Sequence, residues 1–180
     1  WRLDVAAEIT TPGFWQEFRQ RVKAINPDAY ILAEIWDDAP DYLQGDQFDA
    51  TMNYQWTAAT IAFTGGDRVS YELVRDRGYN PWPGIDAAEY GRRLDHLLSL
   101  YDWEVTRVQM NLLDSHDTAR LRSIARDDRD TVRLATLLQM TFPGAPSIYY
   151  GDEIAIRGSD DPETPFRDRH ARWTFPWHDE

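Results

Sequence analysis

AYILAEIW, residues 29–36, is apolar at nearly every position and carries a single carboxylate, Glu34. Successive strand residues point to opposite faces, so a half-buried strand would alternate apolar with polar. A run apolar on both faces instead suits a parallel strand covered above and below. Working upstream, WRLDVA (1–6) is the end of another strand, and TTPG (10–13) breaks the chain before a helix. That helix should run from 14 to about 25, because Phe14, Phe18, Val22 and Ile25 recur at helical spacing and Asn26-Pro27 stops it. Downstream, FDATMNY (48–54) makes a third, shorter strand, and 65–86 is a long loop rich in Gly, Pro and aromatics. A helix over 86–101 carries Tyr90, Leu94, Leu97, Leu98 and Tyr101 on one face. TRVQMNLL (106–113) is the fourth strand, helices follow over 118–126 and 130–142, APSIYYG (145–151) is the fifth strand, and the tail from Gly158 is loop-like. Five strands alternating with helices make a parallel α/β fold. An open doubly wound sheet and part of a (β/α)8 barrel both fit this order.

Composition narrows the partners. The 180 residues are 42% hydrophobic and 28% charged, enough for one globular domain with a sizeable core. A formal charge of −12 disfavours nucleic acid and anionic membranes as partners and is compatible with a neutral, hydroxyl-rich ligand. No apolar run reaches the roughly 20 residues of a bilayer span. The absence of cysteine removes disulfides and thiolate chemistry. Residue 1 is Trp with a strand already under way, so the expectation is a piece of a longer chain, without a readable targeting segment.

Three places carry candidate chemistry. Arg2 and Asp4 are two apart on a strand and share a face, which fits either a strand-end salt bridge or a carboxylate kept ionised as a nucleophile. Glu34 lies in an apolar run, where burial favours a protonated acid, or where a basic partner makes a structural pair. NLLDSHD (111–117) follows the fourth strand, and polar clusters just past strand ends lie where barrel enzymes keep their sites. There His116 and Asp117 can bind metal, move protons or hold a polar substrate, and Asp117 can also cap a following helix. Carboxylates of unlike environment are what glycoside cleavage requires. A Mg²⁺-binding acid cluster is the chemical rival, with Arg2 competing against metal for Asp4. Trp36, Trp56, Tyr79, Trp82, Trp173 and Trp177 fall in or beside expected loops, where flat rings either stack on sugars or pack loops onto the core. Trp36 shares the face of Glu34 and is the best sugar-stacking candidate.

Five segments in order resemble the α-amylase family: WRLDVA its second signature, AEIWDDA its third, NLLDSHD its fourth, FDATMNY its sixth strand and APSIYYGDEI its eighth. The resemblance implies an α/β fold that is the C-terminal portion of a (β/α)8 TIM barrel, with residues 1–180 running from strand four to just beyond strand eight. It implies catalytic residues Asp4 (nucleophile), Glu34 (acid/base) and Asp117 (third carboxylate), with Arg2, Trp36 and His116 binding substrate. The wording EIWDDA, NLLDSHDTAR and FDATMNY is most similar to the neopullulanase and cyclomaltodextrinase branch, whose substrates are maltooligosaccharides, cyclodextrins, pullulan and starch. Departures stand at Ala7, where that branch has Asn, and at Asp37, where it has His; both bear on substrate preference. No cofactor is implied for the chemistry, and any structural Ca²⁺ would be held by segments upstream. The branch further implies a cytoplasmic, homodimeric parent. Transglycosylating or trehalose-forming relatives, and a non-catalytic binding module, are the alternatives. An incomplete barrel exposes a strand edge and apolar faces, so this piece alone is expected to be inactive and poorly folded.

Overall fold

Among the described residues five short strands follow one another in chain order: β1 (Arg2–Leu3), β2 (Leu32–Ala33), β3 (Ala50–Thr51), β4 (Met110–Leu112) and β5 (Ala145–Ser147). The computed structural model describes residues 1–75, 78, 79, 81, 83–158 and 168–177. Trp82 and most of the expected loop-like tail lie outside the described residues. β1, β2 and β3 pair in parallel, as do β4 and β5, and a parallel bridge between Met52 and Met110 joins the two sets. Side chains close the same seam. Gln109 Oε1 accepts from the Thr51 amide at 3.1 Å and from its hydroxyl at 2.9 Å, and Asn53 Nδ2 donates to Asn111 Oδ1 at 2.9 Å. Every strand thus neighbours its successor, with no reversal of order. A doubly wound sheet needs such a reversal, so this topology is that of successive barrel strands.

The helices are α1 (Phe14–Ile25), α2 (Tyr54–Gly65), α3 (Tyr71–Val74), α4 (Ala87–Leu100), α5 (Trp103–Thr106), α6 (Leu121–Ile124), α7 (Arg129–Thr141) and α8 (Asp168–Ala171). Gly13, in the left-handed region at φ 77°, opens α1; Asn26 ends it in an extended conformation that the following Pro27 favours. Trp15 buries the inner face of α1 against Ile31, Ala33 and Phe48. Asp86 and Asp128 cap α4 and α7 by accepting from the Glu89 and Thr131 amides.

α2 is the element the sequence pattern conceals. Ten of its twelve residues are buried, including Trp56 at 0% exposure, because it is wedged between α4 and α7. A helix buried all round has no polar stripe, and so no helical period to detect. Trp56 is therefore core and not loop, and Tyr79 is buried as well, whereas Trp173 and Trp177 are exposed. Other boundaries also move. α5 occupies the start of the expected fourth strand, which begins only at Met110; the expected helix over 118–126 shortens to α6; the stretch 65–86 contains α3. No described helix is long and apolar enough to cross a membrane.

Gly144 turns the chain from α7 into β5 at φ 139°, and a Cβ there would stand 2.3 Å from Asn111 Nδ2 and 2.7 Å from the Gln109 carbonyl. Both strain and clash oppose any side chain at this position. In the complete reading frame, Gly144→Ala is expected to destabilise by about 2–3 kcal/mol, read as a lowered melting temperature by thermal unfolding. An unchanged melting temperature would mean that the β4–β5 seam gives way more easily than its packing implies.

Candidate active site

All three expected carboxylates stand just past the C-terminal ends of strands. Asp4 directly follows β1. The next residue, Val5, sits in the left-handed region at φ 39°, an uncommon conformation for a β-branched residue. That turn aims the Val5 amide at Glu34 Oε2, 2.8 Å away. Glu34 directly follows β2, and Asp117 lies in the turn after β4. The adjacent parallel strands β1 and β2 thus bring Asp4 and Glu34 together, and β4, beyond β3, brings Asp117 to the same side.

Arg2, on β1, is the hub. Nη1 bonds Asp4 Oδ1, and Nη2 lies 2.8 Å from Glu34 Oε1 and 3.8 Å from Asp117 Oδ2. The Nη2 contacts are ionic rather than aligned hydrogen bonds. The environments of the two neighbouring carboxylates differ sharply: the Asp4 side chain is 74% exposed and that of Glu34 only 7%. Glu34 is buried, but not in the purely apolar setting expected from its sequence neighbours. Its oxygens meet the Val5 amide, the Arg2 guanidinium and, at 3.2 Å, the Trp36 indole N–H.

Trp36 reaches the site through this bond. One face of its ring stacks on Tyr54, with centroids 3.8 Å apart and planes 12° from parallel, so that face is closed to a sugar. Gln55 Nε2 donates to the Trp36 carbonyl at 2.8 Å and reaches Asp37 Oδ1 at 3.4 Å. Ala7, the other departure position, is exposed in the turn after β1.

Asp117 is held from several sides. His116 Nε2 lies 2.9 Å from its Oδ2, and Arg172 Nη2 donates to its Oδ1 at 2.9 Å, while Arg172 Nε donates to the His116 carbonyl at 3.1 Å. The Asp117 amide donates to Ser115 Oγ, which pairs with the Tyr54 hydroxyl at 2.9 Å. Burial holds the Tyr54 phenol well above its ordinary range; the Ser115 bond opposes this, and the charges of Asp117 and Glu34 add to it. Tyr54 therefore stays a neutral hydrogen-bonding group between the Trp36 platform and the Asp117 turn. Arg172, Tyr54, Ser115 and the Val5 amide are the members that sequence reading missed. Among the described residues no three His, Asp or Glu side chains converge as metal ligands. The positive charge among these acids comes from Arg2 and Arg172.

Known proteins resemble this chain in sequence and fold. The sequence model of "Alpha amylase, catalytic domain" matches residues 5–180. Cyclomaltodextrinase of Geobacillus thermopakistaniensis (strain MAS1) is 47% identical over 163 residues, 91% of this chain and 25% of the relative. Neopullulanase 2 of Thermoactinomyces vulgaris is 42% identical, with the same coverage of both chains. The native crystal form of the Nostoc punctiforme debranching enzyme superposes with a TM-score of 0.89 at 54% identity, covering 98% of this chain and 35% of that one. The chain spans about a quarter of the length of the curated relatives it matches. With five in-order parallel strands and three carboxylates at their C-terminal ends, the chain belongs to the α-amylase family, of whose (β/α)8 catalytic barrel it forms part.

Proposed function

We propose that the protein bearing this chain cleaves α-glucosidic bonds of maltooligosaccharides, cyclodextrins, pullulan or starch by a retaining double displacement. The observation that carries this is the Arg2 guanidinium spanning an exposed Asp4 and a buried Glu34. A nucleophile needs open approach to the sugar, and a proton donor needs a fixed position; these two environments supply one each. Asp4 attacks the anomeric carbon while Glu34, protonated at that stage, gives its proton to the leaving oxygen. Glu34, now a carboxylate, takes a proton from water; that water attacks the anomeric carbon and releases Asp4. Two inversions give net retention. Asp117 and His116 hold hydroxyls of the reacting ring, and the reading assigns every step to side chains without a cofactor.

The test uses the complete reading frame containing this chain, incubated with γ-cyclodextrin, pullulan, starch and maltotriose, with products resolved by anomer over time. α-Anomeric products that vanish in Asp4→Asn support the reading; β-anomers, or no product from verified folded protein, would refute it. The same assay checks Trp36. Trp36→Phe keeps a ring on Tyr54 but removes the donor to Glu34, and a hydrogen bond to a charged group contributes roughly 1.5–3 kcal/mol. The expected result is a kcat reduced about tenfold or more with little change in KM. A raised KM at unchanged kcat would instead make Trp36 a sugar platform.

A further inference from the structure

Beside the site lies a largely buried ionic cluster that the chemistry above does not use. Asp114 follows β4 and is 2% exposed; its Oδ2 accepts the Leu121 amide at 2.6 Å, pinching together the turn that presents His116 and Asp117. Its Oδ1 is buried, and among the described residues no donor reaches it. Within hydrogen-bonding reach stands the carboxyl of Asp152, from the turn after β5. Arg120, at 0% exposure, donates to the Tyr150 carbonyl, lies 3.4 Å from Asp152 Oδ1, and has its guanidinium carbon 4.1 Å and 4.6 Å from the ring centres of Tyr149 and Tyr150. Tyr150 in turn donates its hydroxyl to the Trp173 carbonyl, next to the Arg172 that grips Asp117.

We propose that Asp114, Arg120 and Asp152 form a largely buried positioning clamp, in which Asp114 donates a hydrogen bond to the Asp152 carboxylate and thereby locks the His116–Asp117 turn to the segment after β5. Asp114 is buried and the Asp152 side chain is 21% exposed, so a carboxylate on Asp114 would face the Asp152 carboxylate with its Oδ1 unsatisfied. One proton on Asp114 Oδ1 satisfies both, and the remaining negative charge faces Arg120. Among the described residues, Tyr149 and Glu153 face the pair from the β5 side, and Arg122 of α6 lines the same cavity as Asp152. Burial, reinforced by the neighbouring Asp152, pushes the Asp114 carboxyl well above the ordinary range, while the Leu121 amide and Arg120 pull the other way. The residues of the clamp touch no substrate; they act through Asp117, so the consequence for turnover rests on the proposed function.

The variants Asp114→Asn and Asp114→Leu, made in the complete reading frame, test the clamp. Asparagine can accept from the Leu121 amide and donate to Asp152 without titrating; leucine can do neither. The expected kcat of Asp114→Asn is within about threefold of the unaltered protein, and that of Asp114→Leu falls at least roughly thirtyfold at temperatures where it is folded. A second readout does not involve activity. A folded-state pKa above the unfolded value means that the folded state keeps a proton the unfolded chain gives up, so stability declines as pH rises past about 4. Asp114→Asn escapes this decline. Its melting temperature should therefore gain progressively on that of the unaltered protein as pH rises past about 4, and this arm holds even if Asp114→Leu does not fold. A pH-independent difference, an Asp114→Asn as impaired as Asp114→Leu, or a fully active Asp114→Leu would each overturn the clamp. Activity of the unaltered protein on glucan separately decides the functional reading, so the two can fail independently.

Discussion

Asp4→Asn is expected to lower kcat on a maltooligosaccharide by on the order of 10⁴-fold while barely moving the melting temperature. The stability half follows from exposure: the Asp4 side chain is 74% exposed, and surface ion pairs such as its bond to Arg2 contribute little. The activity half follows from chemistry, since an amide oxygen is a far poorer nucleophile than a carboxylate at an acetal carbon. Glu34→Ala should behave differently, and the contrast tests the double displacement. A sugar fluoride leaves without protonation, so Glu34→Ala should retain much more activity on an α-glucosyl fluoride than on an unactivated glucan. Asp4→Ala should lose both. Added azide should rescue both variants with opposite stereochemistry. In Asp4→Ala it attacks the substrate once and gives a β-azide; in Glu34→Ala it attacks the glycosyl-enzyme and gives an α-azide. The same anomer from both would mean that the two carboxyls do not divide the work as nucleophile and acid/base.

The positions of the three carboxylates are legible in the sequence because each sits directly after or near the end of a strand, and strand ends are marked by short apolar runs. Local pattern carries that information. It fails where burial or contact is decided by distant residues. α2 has no period because α4 and α7 cover its opposite sides, and neither covering helix is adjacent to it in sequence. Glu34 looks apolar in AYILAEIW, yet its partner amide comes from Val5, 29 residues upstream. Arg172 reaches Asp117 across 55 residues, in a stretch whose Arg-rich wording gives no hint of which cation turns inward. Asp152 was likewise only part of the strand-like APSIYYGDEI until the β4 and β5 turns brought it against Asp114. Barrel topology converts such remote residues into neighbours, and strand order alone does not specify which side chains meet.

Arg2→Met is expected to cost at least about 10²–10³-fold in kcat, the range seen when one oriented donor is removed from a developing charge. The cause is where negative charge resides through the proposed cycle. In the proposed double displacement the negative charge starts on Asp4 and the proton on Glu34; the glycosyl-enzyme it calls for has Asp4 as an uncharged ester and Glu34 as the anion. The net charge of the pair is therefore constant while its position moves from one carboxyl to the other. A guanidinium that contacts both, and stands 3.8 Å from Asp117, stabilises either state without rearranging. Lysine offers a point charge and no fork, so Arg2→Lys should recover only part of the loss. Both half-reactions should slow in Arg2→Met: the burst of leaving group from an aryl glycoside, and the steady release of sugar. A purely structural Arg2 would predict a lowered melting temperature with kcat preserved below it. Removing the cation also leaves Glu34, 7% exposed, to ionise in the second half-reaction without its positive neighbour. Breaking a buried pair by deleting one partner is the damaging direction. Deglycosylation, the step that needs Glu34 charged, should consequently become the slower of the two, and accumulation of a covalent glycosyl-enzyme detectable by mass spectrometry is the expected signature. If instead the first half-reaction alone slows and no intermediate accumulates, Arg2 serves Asp4 only, and its contact with Glu34 is a packing consequence of the β1–β2 register.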